Sequence, residues 1–361
     1  MTIPLVDLKA QYLSIKSEMD AAVERVLSSG NYVMDREVRE FEAEWAAACG
    51  AEHCVGVSSG TDALYLALRA WLLLHPPEKG VQPVVFAPAF TFIATLEPVV
   101  RAGLGLTLKD VDLQTACIRT DEYCGDLFLP VHLYGHPAGP WSDKQPVIED
   151  AAQAHGHQLR GLAMCFSHYP TKNLGAAGQA GSIVTNDPEM AKLLRSLRAH
   201  GEAPRRFLHT QWSGNYRLDE LQAAILRAKL PHLKEWNTQR RVWANYYRTL
   251  WADRGLDRVI PFQSDHLEHV YHIMAARVPN RRRDALARYL DDQGVQTSPR
   301  YSTAMHFQPM FGDRYHEGDF PAAETWAREV LTFPLYPEQS FEMIRKIVDL
   351  IAQWAKDEGL L

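Results

Sequence analysis

VIEDAAQAHGHQLRGLAMCFSHYPTKNLG, residues 147–175, holds two short apolar segments that each lead into polar loop residues. Val147-Ile148 reads as a buried strand running into Glu149-Asp150. Ala163-Met164-Cys165-Phe166 reads as a second strand running into Ser167, with Lys172 in the turn beyond. A carboxylate, Asp150, and an amine, Lys172, therefore stand in loops at the ends of two strands. An amine so placed can form a Schiff base with the aldehyde of pyridoxal phosphate. A carboxylate against the pyridine nitrogen keeps that nitrogen protonated, so that the ring draws electrons from a substrate carbon. A lysine with its ordinary pKa of about 10.4 must lose a proton before it attacks an aldehyde, which calls for a partly desolvated pocket. Small and apolar residues do flank Lys172. Gln153, on the loop of Asp150, and Ser167 can add hydrogen bonds to cofactor oxygens. His155 and His157 lack a third ligand nearby and read as structural, so no metal site is expected.

Upstream the pattern is strand, turn, helix: CVGV, SSGTD, then ALYLALRAWLLL, with Ser59 or Thr61 placed to cap the helix. Glycine in such a turn lets the backbone approach a phosphate, and the free amides of the first helical turn favour negative charge. Residues 83–135 continue the alternation. PVVFAPAF reads as a strand, TFIATLEPVVRAG as a helix, and LGLTLKDVD and DLFLPVHLYG as further strands. Units of this length predict an α/β fold with a mostly parallel sheet, right-handed crossovers and ligands bound beyond the carboxyl ends of the strands. Phe92, just past one such end, is either a core aromatic or a ring that stacks on a flat ligand.

Helical patterns cover residues 11–28 and 36–49, the second with Phe41 and Trp45 one turn apart and facing the core. Residues 181–185 read as a strand, residues 187–198 as a helix, and EAPRRFLHTQWSGNY as a long loop of the kind used for binding or subunit contact. Asn215 and Arg217 precede a strongly helical run, and Arg217 is a solvated charge or a phosphate donor. A long helix over residues 232–250 leads to an α+β part. HVYHIMAARV is its strand, and RRRDALARYLDDQG, residues 323–331 and residues 341–358 are its helices, with FPLYPEQS as a turn. The expected organisation is a large α/β domain over residues 1–235 and a smaller α+β C-terminal domain over residues 236–361.

A chain of 361 residues with 46% apolar and 23% charged residues is ordinary for a globular protein, and a net charge of −6 offers no basic field for nucleic acid or an anionic membrane. Cys49, Cys54, Cys117, Cys124 and Cys165 are odd in number and lack CxxC spacing, which points to reduced thiols. Cys117 and Cys124 alone do not make a metal site. The N-terminus lacks a signal pattern and the apolar runs are too short to span a bilayer, so a cytoplasmic protein is expected.

In this order along the chain, SSGTDALYLAL, APAFTFIAT, VHLYGHPA, VIEDAAQAHG, CFSHYPTKNLG, GNYRLDELQAAIL and EVLTFPLYP resemble the motifs of the DegT/StrS family of pyridoxal-phosphate sugar aminotransferases. The resemblance runs over nearly the whole chain and implies the aspartate-aminotransferase-like fold, fold type I. It implies Lys172 as the Schiff-base lysine and proton shuttle and Asp150 as the partner of the pyridine nitrogen. Gly60 and Thr61 become phosphate ligands with Ser167 beside them, Phe92 the stacking ring, and Gln153 a contact near the phenolic oxygen. Asn215 and Arg217 would reach the phosphate from the partner in a homodimer with shared active sites. Tyr169 and His306 become sugar contacts.

The implied reaction passes an amino group from L-glutamate to the cofactor, giving pyridoxamine 5'-phosphate, and then to a nucleotide-linked keto-sugar such as a dTDP-keto-deoxyhexose. Its product would serve amino-sugar or polysaccharide biosynthesis. Some relatives that act as dehydratases carry histidine at the lysine position, so by the resemblance Lys172 favours transamination over deoxygenation. Two other readings share the cofactor residues: a regulatory or sensor protein that keeps the fold without turnover, and an aminotransferase for a cyclitol or other ketone. The chain departs from the family pattern at Gln179, where an acidic residue is common, in RYSTAMH, which lacks the usual proline, and in a shortened segment before Pro146.

Overall fold

A computed structural model describes residues 2–120, 125–142, 145–205 and 207–361. Seven short strands come first: β1 (His53–Val57), β2 (Val84–Pro88), β3 (Gly105–Lys109), β4 (Leu127–Phe128), β5 (Ile148–Asp150), β6 (Ala163–Ser167) and β7 (Gly181–Thr185). They pair in the orders β1-β7-β6-β5 and β3-β2-β4. Parallel bridges from Phe128 to Val147 and from Val131 to Asp150 join the two groups. The result is one mostly parallel layer, β1-β7-β6-β5-β4-β2-β3, in which β7 alone among the described strands of the layer runs against the rest. The inner strands are buried along almost their whole length, as unbroken apolar runs such as AMCF and SIV require when both sheet faces are covered.

The helix Gly60–Leu74 carries the chain from β1, at one edge of this layer, to β2 near the other. It packs on β5, β6 and β7 and against the helices Ile93–Arg101 and Pro188–Arg198. Contact on several sides explains why GTDALYLALRAWLLL is apolar around most of its circumference rather than along one stripe. The helix Arg36–Ala48 covers another part of the layer, with Phe41 and Trp45 fully buried and stacked at 6.4 Å.

A second, smaller apolar core forms around the antiparallel pair β8 (Met274–Arg277) and β9 (Val330–Phe333) and the helices Leu233–Asp253, Arg283–Asp292 and Phe341–Asp357. Here two expectations are corrected. The helix expected over residues 323–331 ends at Glu329, and Val330–Phe333 becomes β9: β8 supplies backbone partners, and VLTF suits a buried strand. The helix expected over residues 11–28 is two helices, Leu8–Ser14 and Lys16–Ser29, parted at Ile15, whose backbone leaves the helical region. The helix Leu233–Asp253 also runs across position 236, and the chain interleaves at both ends. Ile3 bonds to the carbonyl of Gly294 at 2.8 Å and packs in the smaller core, whereas Ala304, Met305 and Trp326 pack in the core beneath the large sheet.

Among the described residues no helix is long and apolar enough to cross a membrane, and no cluster of potential metal ligands forms. Cys49, Cys54, Cys117 and Cys165 are free and buried, and Cys124 lies outside the described residues.

Candidate active site

Strands that run in parallel bring their carboxyl ends to one edge of the sheet, and the reversed β7 starts at that same edge. A cavity of about 570 Å³ opens there. Asp150 ends β5, Lys172 follows β6 by five residues, and Gly60 and Phe92 follow β1 and β2, so sheet topology alone gathers all four at the cavity.

The start of the helix Gly60–Leu74 is pressed against the ends of β6 and β7. A methyl group on Gly60 would come to 2.6 Å from the Cβ of Ser167, and one on Gly181 would collide with the carbonyl of Ser59. Both positions therefore demand glycine. Of the two capping residues expected, Ser59 is the one used: its Oγ accepts from the Asp62 amide at 3.1 Å. The amides of Gly60 and Thr61 and the Thr61 hydroxyl have no partner among the described residues and line the cavity, an anion-binding arrangement at a helix start. The side chain of Ser167 also lines it.

Asp150 is buried. Its Oδ2 accepts from the Thr95 hydroxyl at 2.7 Å and its Oδ1 from the Ala152 amide at 3.1 Å. Burial pushes its carboxyl above the usual range, opposed by those two hydrogen bonds and by the charge of Lys172. Burial pulls the Lys172 amine down to about 8, with Asp150 opposing and Arg300 assisting. Lys172 Nζ has no hydrogen bond or ion pair among the described residues, so it is free to react.

Phe92 is half exposed and stacks on Tyr301 with centroids 5.3 Å apart; it lines the cavity and is no core aromatic. Gln153 is buried. Its Oε1 accepts from the Tyr134 amide at 2.6 Å and its Nε2 donates to the Tyr301 hydroxyl at 3.3 Å, leaving one amide hydrogen for a ligand. Tyr169 lines the cavity with an exposed ring.

His306 is not brought to the cavity. Met305–Phe307 forms a tight turn that tucks the imidazole, fully buried, against Phe320 and within 3.3 Å of Glu324. Asn215, exposed, and Arg217, half buried, lie outside the cavity of their own chain, on the segment that pairs with Val57 and Ala199.

Polar cavity residues that escaped the sequence reading include Thr91, Thr95, His272, Arg300 and Tyr301. Thr91 and Thr95, four apart at the start of the helix after β2, carried a readable signal, since that spacing aims two hydroxyls the same way; they bond to each other at 2.8 Å. His272, Arg300 and Tyr301 carried none, because the segments that hold them are placed by contacts with distant parts of the chain.

These residues fit pyridoxal phosphate. A free amine and a buried carboxylate share one cavity, an aromatic face lies open, and a glycine-tight helix start offers unpaired amides. The sequence of residues 13–352 matches the DegT/DnrJ/EryC1/StrS aminotransferase family. The chain belongs to that family. It is 38% identical to dTDP-3-amino-3,4,6-trideoxy-alpha-D-glucose transaminase of Streptomyces venezuelae, over 98% of this chain and 96% of that protein. It is 40% identical to the erythromycin biosynthesis sensory transduction protein EryC1 of Saccharopolyspora erythraea, over 96% of this chain and 98% of that protein. Among solved structures, S. venezuelae DesV in complex with a ketimine intermediate superposes with a TM-score of 0.88 at 36% identity, covering 98% of this chain and 99% of DesV. Other solved neighbours hold PMP or PLP. This DegT-family aminotransferase thus carries the fold type I architecture over nearly all of its described residues.

Proposed function

We propose that this DegT-family protein uses pyridoxal 5'-phosphate to transfer an amino group from L-glutamate to a nucleotide-linked keto-sugar, working as a cytoplasmic homodimer in amino-sugar biosynthesis. The observation that carries the reading is Lys172, unpaired and lowered to about 8, in one cavity with the buried Asp150. The cofactor supplies an aldehyde that condenses with amines and a ring that accepts electrons from the substrate carbon.

The protein's own residues do the rest. Asp150, fixed by Thr95 and the Ala152 amide, holds a proton on the ring nitrogen. Gly60, Thr61 and Ser167 bind the phosphate, Phe92 stacks on the ring, and Gln153 donates toward the phenolic oxygen. Lys172 Nζ, near 8, takes a proton from the carbon that bears the amine and delivers it to the cofactor carbon. Tyr169, at the exposed rim, meets the sugar. Asn215 and Arg217 lie outside their own cavity, which suits a role at the phosphate of a second copy.

The sensory name of the erythromycin relative keeps a regulatory reading in play, and one assay separates the two. Borohydride should attach the cofactor to Lys172, L-glutamate should bleach the visible band, and one of a panel of keto-sugar nucleotides should restore it. Attachment without restoration by any sugar supports the sensor; failure of borohydride to modify Lys172 sinks both.

A further inference from the structure

His272, only 4% exposed, lines the cavity together with Lys172. A chain of buried amides fixes where its proton sits. The carbonyl of His155 can only accept, so the group that meets it at 2.7 Å is the amide nitrogen of Asn237. The Asn237 oxygen is thereby turned to Asn173, whose Nδ2 donates to it at 2.8 Å and to the Val270 carbonyl at 3.0 Å. Asn173 Oδ1 is left facing His272 Nδ1 at 3.2 Å, and an amide oxygen there requires a proton on that nitrogen. A second proton, on Nε2, is opposed by burial and by the charges of Lys172, Arg240 and Arg300, with His155 adding to them. The ring is therefore neutral, and Nε2 carries a lone pair that can accept a hydrogen bond but not donate one. Nε2 has no hydrogen bond among the described residues. It is not sealed inside the protein either, in contrast to both ring nitrogens of His155, which are buried and unpaired. An open acceptor of fixed tautomer, in a side chain more than nine-tenths buried, calls for a donor that comes to it.

Lys172 supplies such a donor. Asn173, which orients the ring, is the next residue in the chain, so the imidazole is tied to the segment that carries the lysine. Of the charges that act on the ring, that of Lys172 acts most strongly. Once detached from the cofactor, the amine takes a proton from the substrate carbon, and the ammonium that results has three N–H donors to satisfy. Two acceptors of the cavity are already engaged: Asp150 by Thr95 and the Ala152 amide, and Gln153 Oε1 by the Tyr134 amide. We propose that His272 Nε2 accepts a hydrogen bond from Lys172 Nζ whenever the amine is free of the cofactor, and so holds the lysine between taking up the proton and delivering it. The proton stays on the lysine nitrogen throughout, and His272 takes none. The assignment rests on the transaminase reading of this cavity.

Two substitutions separate the ring nitrogens. In H272N the side-chain amide still reaches Asn173 but the acceptor is gone; in H272Q an amide oxygen, a weaker acceptor, stands near the place of Nε2. With holoenzyme at saturating L-glutamate, the bleaching rate of H272N should fall roughly 10- to 100-fold, the worth of a charged hydrogen bond, while the half-maximal glutamate concentration stays within about threefold. The isotope effect with glutamate deuterated at its α-carbon should grow, which a loss of packing alone would not bring about. H272Q should lie between H272N and wild type. A second readout needs no turnover, because apoenzyme captures pyridoxal phosphate through the neutral amine. An acceptor favours the ammonium and raises its pKa, and Asp150 and Arg300, the charges that act on the amine, are left unchanged. Capture should therefore level off roughly one to two pH units lower in H272N than in wild type. The proposal falls if the capture profile of H272N matches wild type. It falls equally if glutamate bleaches H272N at the wild-type rate; a higher half-maximal concentration of the keto-sugar nucleotide in that case would assign Nε2 to a sugar hydroxyl. Should H272N fail to fold, the capture profile of H272Q decides: a smaller shift in the same direction supports the proposal, and none overturns it. Wild-type holoenzyme that no amino donor bleaches would sink the transaminase reading, and the capture comparison would still decide the tie between Lys172 and His272.

Discussion

The sheet side of the cavity and its C-terminal side are built by different means. Where β1, β5 and β6 end and β7 begins, positions are set by backbone ladders and by approaches too close for one more carbon, at Gly60 and Gly181. On the other side, Tyr301 is held by a ring contact to Phe92 and a 3.3 Å bond from Gln153, and Arg300 by one bond to its carbonyl. Backbone ladders move as a unit, whereas single side-chain contacts can be exchanged one at a time. The difference teaches that Gly60, Asp150, Ser167 and Lys172, the residues proposed to hold the cofactor, sit on the rigid side, and Arg300 and Tyr301 on the adjustable side.

The comparison predicts a ranking of damage. K172A removes the base and the attachment point together, and turnover should fall by roughly 100- to 10,000-fold with folding intact by circular dichroism; near-normal turnover would break the assignment of Lys172. G181A drives a carbon into the Ser59 carbonyl, which should cost about 1 to 3 kcal/mol of stability and loosen phosphate binding, read as a lower Tm and faster cofactor loss. An unchanged Tm would mean that the sheet side yields more readily than its contacts imply.

The pH dependence of cofactor attachment sharpens the same side. Only the neutral amine attacks an aldehyde, and burial lowers Lys172 from its ordinary value to about 8. The rate at which apoenzyme captures pyridoxal phosphate should therefore rise about tenfold per unit as pH climbs toward 8 and level off above it. A rise that continues to pH 10 would show an amine with ordinary basicity. T95V strips one hydrogen bond from a buried carboxylate; cofactor affinity should drop by about tenfold, measured by equilibrium dialysis.

The smallest effect belongs to the C-terminal side. Y301F loses only the long bond from Gln153, so the KM for either substrate should change by about two- to tenfold while cofactor affinity and Tm hold. A Y301F variant that sheds cofactor would erase the distinction between the two sides.

Legibility followed the same division. Asp150, Lys172, Gly60 and Phe92 could be found because each ends a strand or follows one within a few residues, and a parallel sheet delivers such positions to one edge. β9 was misread as the end of a helix because VLTF becomes a strand only when β8 lies beside it, and β8 is more than fifty residues away. His306 was read as a sugar contact from its place in a motif, but the turn around it faces the core.

By itself, the sequence determined the local chemistry: a strand-ending aspartate, a lysine in the next loop, a glycine at a helix start, and the alternation that makes a parallel sheet. Those are properties of short segments, set by side-chain periodicity and backbone freedom. Only the tertiary structure decided that the Lys172 amine would lie near 8, that Thr95 would hold Asp150, and that Arg300 would stand unpaired in the same cavity. Burial and charge depend on what distant segments bring within a few ångströms, and that distance is absent from any local pattern.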